Sequence, residues 1–246
     1  MGLDPAKNPG GVTATLWESK AFRDIIVHLT GNKEVAMELL RIPPIALFYG
    51  WMSFAFAPLL VVLTAAPRIA EEVWSGSIRF ALFRTSRGAW CLGKFAGQAC
   101  QLLIALLLSA AGAWLVGFLR TDHFALIPSA LAMTSFALKA WIYALAFLGL
   151  ATGISQFFSS PNIASSVSFI ALIVLSALGG LSAHFAKANT IGGRIWDLVN
   201  MVIPSGHKLD LWRIDPAHVV PAVVFLVALS FAYMLIGQSY FARRDL

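Results

Sequence analysis

Polar and apolar positions divide this chain into long uncharged runs separated by short charged segments. From about Pro44 to Ala66 there is no charged side chain. A bilayer core of roughly 30 Å needs about 20 apolar residues per helix, so this run predicts a first span. Others are predicted at about Lys94 to Leu119, Ile163 to Phe185 and His218 to Phe241. Residues 124–158 form a 35-residue run whose one charge is Lys139. That exceeds one upright span and falls short of two. It predicts a bent or tilted helix, or an interfacial turn leading into a span from about Phe136 to Phe158. Five spans, an odd number, put the two termini on opposite sides.

The remaining segments read differently. Residues 1–13 are polar and rich in Gly and Pro. From about Thr13 to Leu29, Leu16, Trp17, Phe22, Ile25, Ile26 and Leu29 recur at roughly helical spacing, with Glu18, Lys20, Arg23 and Asp24 on the other side. This suits a helix lying in the membrane interface. Gly31-Asn32 breaks it, and Lys33 to Ile42 allows another short helix. Residues 67–93 are amphipathic, carrying Arg68, Glu71, Glu72, Arg79, Arg84 and Arg87. A polar segment, 186–217, leaves room for a short helix near Ile195–Ile203.

Composition removes the soluble alternative. Of 246 residues, 59% are hydrophobic and 12% charged, with mean hydropathy +0.77. Soluble domains run about 45–50% apolar and about 25% charged. The ~10-residue alternating segments of a membrane β-barrel do not occur. The expected class is therefore an all-α polytopic integral membrane protein of about five transmembrane helices, with amphipathic interfacial helices. The net charge of +6 is spread over the loops, which reads as topology and contact with membrane lipid rather than nucleic acid. Cys91 and Cys100 lie roughly 13 Å apart by axial rise on one predicted helix, too far for a disulfide. Met1 to Gly11 has no apolar core of a signal peptide.

Candidate chemistry is sparse. There is no Gly-rich phosphate loop, since Gly93-Lys94 lacks the preceding glycine and the following Ser/Thr. No nucleophile elbow, His-Glu-x-x-His or carboxylate pair falls within the spans, so the chain is not expected to be an enzyme. Lys139 is the one ionisable residue well inside an apolar run; such residues are functional candidates by default, but this one is near enough to the outer boundary to snorkel. Four of the five histidines, His123, His184, His207 and His218, fall at predicted outer boundaries, while His28 lies in the N-terminal segment. None pairs with another at helical spacing, and no metal site is expected. Gly149 and Gly153 form a step that permits close helix approach.

The stretch Arg68-Ile-Ala-Glu71-Glu72-Val-Trp74-Ser-Gly76-Ser77-Ile78-Arg79, with Arg84-Thr-Ser-Arg87 and Leu92-Gly93-Lys94-Phe95 after it, resembles the cytoplasmic signature of ABC transporter permeases of the type-2 exporter class. The family's order is an acidic pair, a Gly-Ser/Thr-Leu/Ile step, a small-residue turn with Arg, and a Gly-Lys between two spans. The tail Phe241-Ala-Arg243-Arg244-Asp245-Leu246 is similar to the family's ending, and Lys139 sits where a basic residue is common. The resemblance covers about residues 40–246.

What the resemblance implies is a permease subunit of a bacterial-type inner membrane, paired with a second permease copy or paralogue. Separate ATP-binding subunits would hold the ATP and Mg. The ATPase-coupling residues would be Arg68, Glu71, Glu72, Trp74, Gly76, Ile78 and Arg79, within a cytoplasmic coupling segment 67–93. Residues 44–246 would be the permease domain, with an extracytoplasmic loop 186–217. The family has six spans, so residues 1–43 resemble the outer connection between its first and second, with the first span absent from this chain. Lys and Arg number seven on the side of 67–94 and the tail, against ten on the other. The charge rule alone favours the reverse orientation, and the cytoplasmic placement follows from the resemblance. The alternatives are a non-transporting membrane scaffold or an intramembrane enzyme, including a copper- or sulfur-handling maturation role of the kind one family branch performs for nitrous oxide reductase.

Overall fold

The computed structural model describes residues 24, 26–27, 33–120, 124–185 and 191–243. Most of the interfacial helix expected before Gly31, with His28 and His123, lies outside the described residues. The helices are α1 Lys33–Leu39, α2 Pro44–Trp74, α3 Ile78–Leu82, α4 Arg87–Arg120, α5 Leu126–Phe157, α6 Pro161–Phe185, α7 Ile191–Val202, α8 Lys208–Trp212 and α9 Pro216–Phe241. A 3-10 turn, Pro204–His207, joins α7 to α8. No strand occurs among the described residues. Five helices, α2, α4, α5, α6 and α9, are long and apolar enough to cross a bilayer.

Local chemistry sets the boundaries. α2 starts with Pro44 at its first turn, where a fixed φ suits the helix and no N–H is wasted. It runs 31 residues and stops where the Ser75 N–H meets the Glu71 carbonyl at 2.9 Å. Gly76 follows at φ +72°, a left-handed turn that glycine adopts without strain. α9 starts on Asp215, whose carboxylate accepts from the Ala217 N–H at 3.0 Å, with Pro216 next. α4 is capped by the Ser86 hydroxyl, which accepts from the Ala89 N–H at 3.2 Å.

Two expectations change in detail. Residues 67–93 do not form one amphipathic element: they comprise the last turns of α2, the one-turn α3 and the first turns of α4. The charged residues at both junctions simply extend the spanning helices past the membrane. Residues 124–158 take the single-helix option, α5, roughly 48 Å long at 1.5 Å per residue.

α5 is the centre of the bundle. Over half of the most apolar stretch of both α2 and α5 is buried (56% each), against 17–22% for α4, α6 and α9, whose outer faces are left to lipid. Phe54 packs on Tyr143 toward one end and the Ala70 N–H donates to Ser155 Oγ toward the other, so α2 and α5 run parallel. α9 also runs parallel to α5. Ser230 Oγ donates to the Leu145 carbonyl at 2.6 Å, and Gly149 and Gly153 admit the backbone of Ser230 and Tyr233. The Gly149–Gly153 step is thus an internal α5–α9 contact. α4 runs antiparallel: Trp141 Nε1 donates to the Ala99 carbonyl at 2.8 Å and Tyr49 Oη to the Leu106 carbonyl at 2.7 Å. Both cysteines are free, Cys91 buried and Cys100 exposed.

The main core fills the bundle with Phe54, Phe136, Tyr143, Phe147 and Trp212 among others. A second, smaller core of Ile69, Ile78, Trp90, Cys91 and Phe241 sits at one end, called here the turn end because it carries Ser75–Ser86. The opposite cap end carries α1, α7, the 3-10 turn and α8.

Candidate functional site

The turn end is built as a platform. Ile78 anchors the one-turn α3 by inserting fully (1% exposed) between Ile69 of α2, Trp90 of α4 and Phe241 of α9. Trp90 stacks on Phe241 with ring centroids 6.2 Å apart. Arg87 donates to the carbonyls of Phe241 and Ala242 at 2.9 and 3.1 Å, satisfying oxygens that the end of α9 leaves without helical partners. Lys94 pairs with Glu72, bridging α4 and α2, and lies 5.7 Å from the Trp90 ring. Ser155 ties α5 in through Ala70. Displacing this small core would move α2, α4 and α9 together.

The structure divides the expected coupling residues into two groups. Glu72, Gly76 and Ile78 build the platform: an ion pair, a left-handed turn and an apolar anchor. Arg68, Glu71, Trp74 and Arg79 are exposed, Trp74 at 71%. Arg84, part of the charged segment but outside the expected coupling set, is exposed as well, and so is Phe83, which no motif marked. Phe83 is 85% exposed and Phe80 77%, so that, with Trp74, three aromatic side chains face outward from the turn end beside the small core. Their spacing carried the signal, because Phe80 and Phe83 are three apart and share a face of any helix through them.

Lys139 does structural work at the cap end. Its ammonium donates to the Arg213 carbonyl at 2.8 Å and lies 6.0 Å from the Phe136 ring. The Ile214 N–H, on the other side of the same peptide group, donates to Glu38 Oε2 of α1 at 3.2 Å. That peptide, just after α8, is therefore held from both sides. Trp212 before it packs edge-on against Phe54 and Phe136. Lys139 thus snorkels from inside α5 to the loop.

Of the histidines, the described side chains are those of His207 and His218, and each has partners of its own. His207 bonds to the Met201 carbonyl at 2.9 Å and stacks on Phe225. His218 lies between Asp215 Oδ2 (3.1 Å) and Arg213 Nη1 (3.0 Å). Among the described residues no three His, Cys, Asp or Glu side chains are grouped to hold a metal ion. The Ala217 N–H and His218 hold the Asp215 carboxyl below the usual carboxylate range, and burial lowers the Lys208 ammonium. At the foot of α5, Gln156 is fully buried with neither amide atom hydrogen-bonded. An unpaired buried polar group is costly, about 1–3 kcal/mol.

No family model matches this chain, and no curated protein matches it in sequence. Fold and membrane-crossing helices define its class: an all-α, multi-pass membrane protein.

Proposed function

We propose that this chain is the membrane-spanning permease subunit of an ATP-driven ABC transporter of the exporter type, powered by a separate ATP-binding subunit. The turn end lies in the cytoplasm of a bacterial-type inner membrane, and a second permease copy or paralogue completes the pore. One observation carries this reading: Trp74, Phe80 and Phe83 project from a platform fastened to α2, α4 and α9. Closure of two ATPase domains on nucleotide would push on those aromatics. The rigid base would pass the displacement to three spans at once, a coupling that requires the partner to favour one conformation. The motif order from Glu71-Glu72 through Lys94 supports the same assignment.

Of the acidic pair, Glu72 is shared with Lys94 while Glu71 is exposed. The aromatics are the larger part of the docking surface, edged by Arg68, Glu71, Arg79 and Arg84.

The test is purification of the full chain from its native membrane in mild detergent. An ATP-binding subunit is expected to co-purify with the natural sequence and to be lost from the F80D/F83D variant, whose exposed side chains leave folding and insertion intact. A natural chain that carries no ATPase would overturn the reading in favour of a scaffold or intramembrane enzyme. Retention of the ATPase by the variant would move the docking site elsewhere.

A further inference from the structure

The helix α7 packs against the bundle with the wrong side for a water-facing helix. Its inward contact is polar: Asn200 Oδ1 accepts from Ser182 Oγ of α6 at 3.0 Å. The turn that follows is fixed to the same helix, with Ser205 Oγ donating to the Leu175 carbonyl at 3.2 Å and sitting against Gly179. Half-buried Trp196 lies four residues before Asn200, on the same side.

The apolar stripe points elsewhere. Ile195, Leu198 and Val202, spaced three and four apart, are 57%, 64% and 60% exposed, and Met201 beside them is 66% exposed. Arg194 and Asp197 edge the stripe, and with Leu198 and Met201 they line an open groove. A 12-residue helix turning four large apolar side chains away from its own protein needs an apolar surround.

The helix that anchors α7, α6, is itself one of the helices long and apolar enough to cross a bilayer. Ser182, the anchor of α7, follows Leu181 (45% exposed), and the same helix α6 exposes Ile170, Ile173 and Val174 toward its other end. We infer that α7 lies in the bilayer's acyl–headgroup boundary, its Ile195–Leu198–Val202 stripe covered by lipid and Arg194 and Asp197 at headgroup level. An amphipathic helix with charges along one edge suits that position. The cap end is then seated in the membrane surface, in contrast to the extramembrane loop expected for 186–217. The inference holds whichever compartment the cap end faces, and it is independent of transport.

Spin-label accessibility in the full chain decides it. In a C100A background (Cys91 is buried and stays), nitroxides are placed singly at Leu198, Val202 and Asp197, with Ile173 as the lipid-facing reference. The variants are reconstituted in phosphatidylcholine–phosphatidylglycerol vesicles, and collision with oxygen is compared with collision with a water-soluble nickel chelate. Labels at Leu198 and Val202 are expected to favour oxygen, as at Ile173, and the label at Asp197 the chelate. Preference for the chelate at Leu198 and Val202 would show a water-exposed face. Immobile labels closed to both reagents would show a covering protein, such as a second copy. Either result overturns the inference.

Discussion

Glu71 and Glu72 show how one residue's position decides its role. Adjacent residues on a helix point about 100° apart, so only one of two consecutive glutamates can face α4. Glu72 does, and Lys94 takes it up; Glu71 stays exposed. Lys139 is a second case, since its ammonium is engaged within the fold, by the Arg213 carbonyl and the Phe136 ring. Lys139→Met would keep the apolar stem but leave the Arg213 carbonyl short of its donor, at a cost of about 1–3 kcal/mol. A lowered midpoint in detergent thermal unfolding, with the spans still inserted, is the expected result; an unchanged midpoint would remove Lys139 from the clamp. Asp215 carries a pH dependence. Its carboxyl is held below the usual range by the Ala217 N–H and His218, so its contribution is present above the ordinary carboxylate value and lost as pH falls through the lowered one. The melting-temperature gap between the natural chain and Asp215→Ala should narrow as pH falls below about 4. A gap that persists in acid would show that the ionised carboxylate is not the cap.

At the scale of elements, the glycines separate contacts from spacers. A Cβ on Gly149 or Gly153 would run into the backbone of Ser230 or Tyr233, which cannot swing aside like a side chain. Gly97 and Gly112 on α4 face open space. Gly149→Ala is therefore expected to push α9 off α5 and cost about 1–3 kcal/mol by overpacking. Gly97→Ala and Gly112→Ala should be neutral or gain up to about 1 kcal/mol from helix propensity. Equal midpoints for all three in thermal unfolding would contradict the close packing. The spans themselves were legible in the sequence because each is specified locally, by an uncharged run long enough to cross lipid. The ends of α2 and α4 were not: once a helix leaves the membrane, charges such as Arg68, Glu71 and Arg87 no longer mark its boundary, and the left-handed Gly76 does. The small core was equally hidden, since Ile69, Ile78, Trp90 and Phe241 come from four helices and only folding unites them. Ile78 is therefore expected only as one of the coupling residues, with no sign in the sequence that it is buried while Trp74 and Phe83 face outward.

For the whole molecule, everything proposed about energy coupling depends on which way the bundle sits. α2 begins at the cap end and α9 finishes at the turn end, so an odd number of crossings separates the two. Charge bias is a poor guide here. At the turn end Arg87 is committed to the carbonyls of α9 and Lys94 to Glu72; at the cap end Arg213 is shared with His218. Such internally satisfied cations have less to offer the anionic lipid whose attraction accompanies inward-facing loops. Orientation must be read directly. Single cysteines replacing exposed Ser86 and exposed Ala217 in a C100A background report the two ends, because both sites lie outside the apolar stretches. An impermeant maleimide applied to intact cells is expected to label the Ala217 site at once and the Ser86 site only after permeabilisation. The reverse pattern would place Trp74, Phe80 and Phe83 outside the cell, out of reach of any ATP-binding subunit, and the permease reading would fall. The lipid seat of α7 would survive that reversal, since either leaflet supplies the same boundary.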